Sequence, residues 1–354
     1  MTTPDFTYTA LPSRVIFGAG TRHRLAAELE RLGLKRPLLL STPQQVGMVA
    51  DLGATLPQVA RYYGRATMHT PTHVTEDALA ELQRLNADSL VALGGGSTTG
   101  LGKALALRSG LPQIVLPTTY AGSEMTPILG ETQDGRKTTI RDLRVLPGTV
   151  IYDVELTLGL PARISVSSGM NALAHAAEAL YAPDANPVTS LMALDAVRAL
   201  ARSLPRIVQN PSDLSARSDA LYGAWLCGTV LGAVGMSLHH KLAHVLGGSF
   251  DLPHAESHAA LLPHTVAYNA AGVPEVMRQL AGALGTDTAA AGLYALNGRL
   301  GNTLALRDLG MPESGIEEAA DIAMEKPYPN PVPLERGRIS DLLACAWVGA
   351  SPQE

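Results

Sequence analysis

The chain has 354 residues, of which 46% are hydrophobic and 17% charged, and this composition excludes a disordered protein. Its 27 Lys and Arg residues are set against 32 Asp and Glu residues, a formal net charge of −5, and the sequence has no long basic run. We therefore expect neither nucleic acid nor an anionic membrane as a partner.

The length suits two domains better than a single core. The two cysteines, Cys227 and Cys345, are too few for a disulfide framework or a Cys-x-x-Cys zinc site, and both are predicted to be buried free thiols. The sequence has no apolar leader at its start and no run of about 18 uninterrupted apolar residues. We therefore expect a soluble, cytoplasmic protein.

Short apolar strands alternate with amphipathic helices in the first part of the chain. The predicted strands are residues 14–18, 37–41, 88–93, 113–116 and 149–153, and the predicted helices are residues 20–32, 74–85 and 98–107. Continuously apolar strands in such an alternation are typical of a parallel sheet that is covered by helices on both faces.

Beyond Pro161 the pattern becomes wholly helical, with Gly and Pro residues between the periods. The predicted helices are residues 163–182, 187–207, 212–236, 238–249, 255–271, 274–284, 287–301, 314–325 and 335–348. We therefore predict an α/β dinucleotide-binding domain over residues 1–158. An all-helical substrate and catalytic domain is predicted over residues 159–354.

Three consecutive glycines, Gly94, Gly95 and Gly96, followed by Ser97, connect an apolar strand to a helix. Glycine lets the backbone approach a pyrophosphate, and the N–H groups and dipole at the start of a helix favour an anion. A tight turn alone also uses glycine, but three in a row are more than a turn needs. We predict a nucleotide phosphate site here, with Ser97 adding a hydroxyl group and capping the helix.

A second candidate for cofactor binding follows the strand at residues 113–116. Its residues are Thr118, Thr119 and Ser123, at a strand end where ligands gather in open α/β sheets, and a plain Ser/Thr-rich loop is the alternative. The strand at residues 37–41 ends in Ser-Thr, without the acidic residue that binds a ribose 2′-hydroxyl and repels a 2′-phosphate. We therefore expect weak discrimination between NADH and NADPH.

The ten histidines are unevenly distributed, and several in the helical part recur at the i, i+4 spacing of one helix face. A single buried histidine is usually a core residue whose ring nitrogens are hydrogen-bonded. Several clustered histidines cost free energy on burial unless each finds hydrogen-bond partners. The polar side chains of the predicted pocket are Asn171, His175, Glu178, His240, His244, His254, His258 and His264. Such a pocket suits either a divalent Lewis acid with imidazole ligands or histidines that donate directly to a carbonyl or enolate oxygen.

Together these motifs resemble the iron-containing (group III) alcohol dehydrogenase superfamily over nearly the whole chain. The matching segments, in the family's order, are Gly94–Ser97, Thr118–Thr119, residues 169–178, His240–His244 and Pro253–His254. The resemblance implies the dehydroquinate synthase-like fold, with an α/β dinucleotide-binding domain and an all-helical domain. In metal-dependent members, the positions of Asn171, His175, His240 and His254 bind the metal, and the first of them is Asp.

Asn171 departs from that pattern, because an amide contributes a dipole where a carboxylate contributes a charge. A ligand set of three histidines and one amide would bind Fe²⁺ much less tightly, although three histidines alone can bind Zn²⁺. Gly100 is a second departure, since many metal-dependent relatives carry Asp three residues after the loop serine. These two departures, together with the sequences of residues 238–244 and 248–256, resemble the corresponding positions of the maleylacetate reductases. That family is treated as metal-independent. No metal is therefore expected.

The resemblance implies reduction of the enone double bond of maleylacetate to 3-oxoadipate by NADH or NADPH, in aromatic-compound degradation. The residues implied to act on the developing enolate are Asn171, His175, His240, His244 and His254, and the histidine that gives the proton is left open. The cations available for the two substrate carboxylates are Lys241, which is the best placed, and Arg163, Arg336 and Arg338. A solvated surface charge is the alternative for each. The family tendency also implies a homodimer.

Three other functions are compatible with parts of this pattern. A metal-dependent alcohol or aldehyde dehydrogenase of the same superfamily would tolerate Asn171. A related lyase that uses nicotinamide only transiently would need a zinc site with a carboxylate ligand, and Asn171 argues against it. A non-enzymatic nucleotide-binding protein would have no need of a histidine pocket.

Overall fold

The computed structural model describes residues 5–58, 60–133, 136–326 and 328–353. It divides into two compact units. One comprises Leu11–Leu160, and the other comprises the described residues from Pro161 onward together with residues 5–10. The two units are described separately below.

The first unit is built on a parallel sheet. The described strands β1 (Arg14–Gly18), β2 (Pro37–Leu40), β3 (Arg61–Tyr63), β4 (Ser89–Gly94), β5 (Gln113–Pro117) and β8 (Thr149–Asp153) form one six-stranded sheet in the order β1-β8-β5-β4-β2-β3. All their pairings are parallel. A separate antiparallel hairpin is formed by β6 (Ile128–Gln133) and β7 (Arg136–Arg141).

Helices cover both faces of this sheet, as its continuously apolar strands predict. Successive strand residues point to opposite faces, so Leu39 packs on α1 (Leu25–Arg31) and α2 (Val46–Ala54). Leu38 and Leu40 pack on α3 (Thr72–Arg84) and α4 (Gly96–Ser109). The predicted α/β fold class is therefore confirmed.

The connections of the sheet reverse direction between two neighbouring strands. From β2 the chain passes through α2 to the edge strand β3, whereas from β4 it passes through α4 toward β5 on the other side. The carboxyl ends of β2 and β4 therefore form a topological switch point, where open α/β sheets bind their ligands. Gly94 ends β4 directly beside Pro117 of β5, so the two candidate cofactor loops leave adjacent strands.

The sequence pattern located the predicted strands of this unit correctly but missed several short elements. Neither α2, β3 nor the β6–β7 hairpin was predicted. The strand β3 has only three residues, two of them exposed, so it carries little hydrophobic signal. The hairpin contains six-residue strands with mostly polar side chains, which a search for apolar runs does not detect.

The second unit is helical. Its described helices are α5 (Ala162–Leu180), α6 (Pro187–Gln209), α7 (Leu214–Ala233), α8 (Leu238–Phe250), α9 (His254–Asn269), α10 (Pro274–Leu284), α11 (Ala289–Leu300), α12 (Gly315–Met324) and α13 (Arg336–Val348). Each falls within a few residues of its predicted range. The central helix α5 packs against α6, α7 and α9, and α8 packs against α9 and α12.

Local capping fixes several of these helix ends. Asn186 and Thr189 form a reciprocal capping box at the start of α6, and the side chain of Asp213 accepts the backbone N–H of Ala216 in α7. Of the two cysteines, Cys227 is buried as predicted, whereas Cys345 is only half-buried on α13.

The described helices were also compared with the dimensions of a membrane. None of them alone is long and apolar enough to cross one. As a pair, α7 and α8 meet those criteria of length and composition, with a bend of 97° between them.

Candidate active site

The glycine run forms the first turn of α4 at the switch point of the sheet. Gly95 is the N-cap residue of the helix and makes no side-chain cap, and Gly96 is the first helical residue. The prediction that Ser97 caps the helix was therefore wrong, because Ser97 lies one position inside the first turn. Its hydroxyl remains available at the helix start, where the dipole and N–H groups favour an anion.

Each of the three glycines has its own steric reason. Gly94 has φ +156°, and a Cβ atom there would lie 2.7 Å from Oε1 of Gln45. A Cβ atom on Gly95 would lie 2.8 Å from Cγ2 of Thr119. A Cβ atom on Gly96 would meet no atom of the described residues within 4 Å, so open space lies beside the start of the helix. That space fits a phosphate group that approaches the backbone.

Hydrogen bonds link the loops that follow β2, β4 and β5. The backbone N–H of Thr118 donates to the carbonyl of Gly94 at 3.0 Å. Nε2 of Gln45 donates to the hydroxyl of Thr118 at 2.9 Å, and the hydroxyl of Thr42 donates to Oε1 of Gln45 at 3.1 Å. Gln45 was not among the predicted site residues, since a lone Gln in an unpredicted loop gives no sequence signal.

Two unpaired hydroxyl groups lie in these segments. Among the described residues, Oγ of Ser123 and Oγ1 of Thr98 are buried without a hydrogen-bond partner. Buried hydroxyls without partners are unusual, and a polar ligand satisfies them. Together with the open space at Gly96, they fit a dinucleotide held by Gly94–Ser97, Thr118, Thr119 and Ser123.

Gly100, which departs from the pattern of metal-dependent relatives, lies against a strained loop. A Cβ atom at Gly100 would overlap Oγ1 of Thr70. Thr70 is a β-branched residue with φ +46°, and it follows His69 with φ +65°. Two such residues in succession are costly and persist only where their surroundings hold them. Glycine at position 100 is therefore required by this packing.

In the helical unit, Glu178 of α5 lies at the N-terminus of α8. Its Oε1 accepts the backbone N–H of His239 at 2.8 Å, and its Oε2 accepts those of Ser237 at 3.2 Å and His240 at 3.3 Å. The same Oε2 accepts Nδ1–H of His240 at 2.5 Å. Because backbone N–H groups donate to both of its oxygens, Glu178 caps α8, and its contact with Nδ1 orients His240.

A chain of hydrogen bonds continues from His240 to Asn171. In the neutral form of His240 in which Nδ1 donates to Glu178, Nε2 accepts Nδ1–H of His175 at 2.8 Å. Nε2 of His175 in turn faces Nδ2 of Asn171 at 3.4 Å. Among the described residues, the buried Oδ1 of Asn171 has no partner. Every N–H in this chain therefore points toward Glu178.

A second histidine pair lies beside this chain. The hydroxyl of Thr265 donates to the carbonyl of Leu262 at 3.0 Å, so it accepts Nδ1–H of His239 at 2.9 Å. Nε2 of His239 then accepts Nδ1–H of His258 at 2.9 Å. Burial lowers the pKa of both imidazoles well below the ordinary range, and the neighbouring histidines lower it further. Both rings are therefore neutral near pH 7.

The structure brings together only part of the predicted catalytic set. Asn171, His175 and His240 are buried and connected, whereas His244 and His254 are exposed. The ring centroids of His240 and His244 are 6.3 Å apart, and those of His254 and His258 are 4.5 Å apart.

Three partners of the cluster were not among the predicted catalytic residues. Glu178 and His258 were predicted only to line the pocket, and His239 was not named at all.

The four predicted cations differ in their surroundings. Arg163 is exposed and pairs with Glu256 at 3.1 Å. Arg336 binds Glu317 and Asp321, and Arg338 lies over the ring of Tyr268. Lys241 is half-buried in the first turn of α8, and no ion pair or hydrogen bond of its ammonium group occurs among the described residues. Lys241 is therefore the cation that a bound carboxylate can reach without breaking an existing pair.

The donor set does not fit a resident iron ion. Glu178, the carboxylate beside the rings, already accepts four N–H groups, and Asn171 supplies an uncharged amide. Nε2 of His240 is occupied by His175. Within the described part of the chain, no three His, Cys, Asp or Glu side chains are arranged to hold a metal together.

Known proteins match this chain over nearly its whole length. The model of the iron-containing alcohol dehydrogenase family matches residues 12–154, and that of the C-terminal part of the Fe-containing alcohol dehydrogenase family matches residues 165–347. A maleylacetate reductase of Burkholderia cepacia is 56% identical over 98% of this chain and 99% of its own length.

Two solved structures are similarly close. The maleylacetate reductase of Agrobacterium tumefaciens has a TM-score of 0.96 at 54% identity and covers 99% of this chain and 100% of its own. An iron-containing alcohol dehydrogenase of Corynebacterium glutamicum has a TM-score of 0.94 at 41% identity, covering 100% of this chain and 99% of its own. The chain is an oxidoreductase that belongs to the iron-containing alcohol dehydrogenase family and, within it, to the maleylacetate reductases.

Proposed function

We propose that this chain reduces the carbon–carbon double bond of maleylacetate, a 4-oxo-hex-2-enedioate, to 3-oxoadipate with NADH or NADPH, in aromatic-compound degradation. The observation that carries the proposal is the buried hydrogen-bond chain Glu178–His240–His175–Asn171. It provides protons and oriented dipoles for the oxygen of a conjugated ketone, and it needs no metal for that task. The similarity to maleylacetate reductases over the full chain supports the choice of substrate.

The reaction balances as one hydride and one proton. The bound nicotinamide supplies the hydride to the alkene carbon β to the ketone. The π electrons move to the ketone oxygen, which becomes an enolate oxygen, and a proton then bonds to the α carbon and restores the ketone. The protein therefore has to stabilise negative charge on one oxygen and deliver one proton.

The histidine chain meets both requirements when it carries one proton more than in the arrangement described above. With His240 protonated next to the Glu178 carboxylate, both of its ring nitrogens donate, and His175 accepts at Nδ1. The proton of His175 then resides on Nε2, which faces away from His240. When that proton is donated to the substrate, the hydrogen-bond chain returns to the arrangement in which every N–H points toward Glu178.

Asn171 suits this change of polarity. Its amide can turn either its N–H or its carbonyl oxygen toward Nε2 of His175, whereas a carboxylate can only accept. We propose that Asn171 orients His175 in both states. The exposed His244 and His254 complete the proposed set around the substrate, and Lys241 binds one of its two carboxylates.

We further propose that the activity is independent of a metal, that the loops at the carboxyl ends of β2, β4 and β5 accept NADH and NADPH with weak discrimination, and that the chain acts as a cytoplasmic homodimer. No membrane or nucleic acid takes part. Size-exclusion chromatography with light scattering tests the dimer directly, and a monomer at micromolar concentration contradicts it.

The decisive test is consumption of NADH with freshly prepared maleylacetate after dialysis against EDTA. We expect full activity in the dialysed wild type. The matched variant Asn171→Asp, dialysed in the same way and then supplied with Zn²⁺, should retain zinc, because a carboxylate restores the missing charge. If the wild type reduces maleylacetate neither before nor after dialysis, the proposed substrate is wrong.

A second candidate function is a metal-dependent alcohol or aldehyde dehydrogenase. The specific observation in its favour is the Glu178–His240 pair, because metal-bound histidines commonly donate their second N–H to a carboxylate. Loss of activity on dialysis that returns with Fe²⁺ or Zn²⁺ would support this function in place of the metal-independent one.

A further inference from the structure

Lys103 is a buried cation that the proposed mechanism does not use. It lies on α4, seven residues after Gly96, and is 1% exposed. Two turns of helix separate it from the phosphate end, so it lies on the same face as Gly96. A buried ammonium group is rare unless it is fully paired.

Four oxygen atoms surround the ammonium group of Lys103, and all belong to residues 123–128. Nζ donates to the carbonyls of Ser123 at 2.6 Å, Thr126 at 2.7 Å and Ile128 at 2.8 Å, and it also lies 2.9 Å from the hydroxyl of Thr126. The hydroxyl of Thr126 donates its own proton to the carbonyl of Ser123 at 3.0 Å. Lys103 therefore gathers the backbone of this segment around one charge.

The charge state of this group is set by burial and by one carboxylate. Burial lowers the pKa of Lys103 and the nearby Glu124 carboxylate offsets part of that effect, so that the pKa lies at about 7. Glu124 is itself buried and accepts the hydroxyl of Tyr152 at 2.7 Å. The four surrounding oxygens can only accept hydrogen bonds in this arrangement, so they favour the ammonium form.

The segment held by Lys103 is continuous with the second cofactor loop. Its first residue, Ser123, has its carbonyl fixed by Lys103 and its buried hydroxyl unpaired among the described residues. Gly122, with φ +77°, turns the chain between Thr119 and Ser123. A fixed backbone with a free hydroxyl is the arrangement expected of a segment prepared for a polar ligand.

We propose that Lys103 is a positioning residue for the dinucleotide, holding residues 123–128 in the shape that binds the cofactor. The inference rests on the cofactor part of the proposed function. Lys103 does not touch the cofactor itself. It joins the helix that receives the phosphates to the loop that carries Thr118, Thr119 and Ser123, so that one rigid body presents both.

The test is the Kd of NADH, measured by fluorescence titration without substrate. Lys103→Met keeps the length of the side chain but removes its charge and donors, and we expect the Kd to rise about tenfold or more. The KM for maleylacetate at saturating NADH should change less than twofold. A folded Lys103→Met protein with an unchanged Kd would show that Lys103 serves stability alone and would overturn the proposal.

A milder pair of variants covers the case in which Lys103→Met does not fold. Thr126→Val removes one of the four oxygens, and Thr149→Val is the matched control, since Thr149 is equally buried and donates to Glu28 at 2.7 Å. We expect both variants to lose stability, but only Thr126→Val to bind NADH more weakly, by about threefold. Equal Kd values in the two variants would contradict the inference.

The outcomes also separate this inference from the proposed function. A wild-type chain that binds NADH but does not reduce maleylacetate loses its proposed substrate, while the effect of Lys103 on the Kd stands or falls by itself. A wild-type chain that binds neither NADH nor NADPH overturns both.

Discussion

The two polar regions of this molecule are built in opposite ways. At the carboxyl edge of the sheet, the proposed anion site consists of three neighbouring glycines and a helix start, that is, of backbone groups and missing side chains. In the helical unit, the histidine network consists of side chains from α5, α8 and α9, and its bonds to Glu178 join residues about 60 positions apart. The first region depends on local backbone shape, whereas the second depends on tertiary packing.

This difference predicts how each region responds to substitution. A backbone site loses ligand affinity when an atom is added in front of it, while its fold is unaffected. A network of buried side chains loses stability and chemistry together when one partner changes, because the remaining groups are left unpaired.

Glu178→Gln should have the largest effect. Four N–H groups point at the Glu178 carboxylate, and an amide offers one acceptor oxygen and turns its own NH₂ group toward other donors. We expect a loss of about 3 kcal/mol in the free energy of unfolding and a kcat at least a hundredfold lower. Urea denaturation and steady-state kinetics measure the two effects.

Glu124→Gln is the matched control for that change, because Glu124 is equally buried but lies in the sheet unit. A single side-chain hydroxyl, that of Tyr152, donates to it, and an amide oxygen can still accept that bond. Burial also raises the pKa of Glu124, so an uncharged side chain is better tolerated at this position. A loss of stability as large as that of Glu178→Gln would show that burial, and not the number of donors, sets the cost.

Acid should destabilise the helical unit through its buried histidines. Burial lowers the pKa of His264 to about 4, and burial also lowers the pKa of His239 and His258 well below the ordinary range. Between about pH 6.5 and 4, the unfolded chain binds a proton at His264 that the folded chain does not, so stability falls as the pH falls. Each such group contributes about 1.4 kcal/mol per pH unit.

The variant His264→Phe isolates one of these groups. Its absolute stability includes a packing change that is independent of pH, so the informative quantity is the slope of the unfolding free energy between about pH 6.5 and 4.5. We expect this slope to be shallower than that of the wild type by about 1.4 kcal/mol per pH unit. Parallel slopes would mean that His264 is protonated in the folded protein as readily as in the unfolded chain.

How much of each region could be predicted follows from the same contrast. The strand–glycine–helix turn was predicted because Gly94–Gly96 are adjacent in sequence and flanked by a strand and a helix. Asn171 and His175 were paired correctly because one helix turn separates them. His239 was passed over and His258 was predicted only as a pocket residue, since their hydrogen bond depends on the packing of α8 against α9, which no local pattern shows. Glu178 was placed on the right helix face, but its role as the cap of α8 is a tertiary contact.

Gly96→Ala tests whether the open space at the helix start is a ligand site. The new Cβ atom meets no protein atom, and alanine favours a helix more than glycine does, so stability should be unchanged or slightly higher. If a phosphate group occupies that space, the Kd of NADH should rise about tenfold. Differential scanning fluorimetry and NADH titration give the two numbers.

Gly282→Ala is the control, because Gly282 lies within α10 and an added Cβ atom there also meets nothing within 4 Å. It should gain the same small stability without any change in NADH affinity. If Gly96→Ala also leaves the affinity unchanged, the phosphate groups bind elsewhere on the sheet edge and the cofactor assignment of Gly96 is wrong.

Thr42→Asp should have the smallest effect, and it concerns only the choice between the two cofactors. Thr42 follows β2 at the switch point and donates its hydroxyl to Gln45, whose own amide holds Thr118. A carboxylate at this position would bind a ribose 2′-hydroxyl and repel a 2′-phosphate. We expect the Kd values of NADH and NADPH in the wild type to lie within about tenfold of each other. The variant should weaken NADPH binding about fivefold while leaving NADH binding within about twofold, because a charge at a solvated strand end is partly screened.

Thr42→Asn, which is uncharged and similar in size, separates the effect of the charge from the loss of the hydrogen bond to Gln45. Equal weakening of both cofactors in Thr42→Asp and Thr42→Asn would mean that position 42 supports the loop through Gln45 and does not contact the ribose.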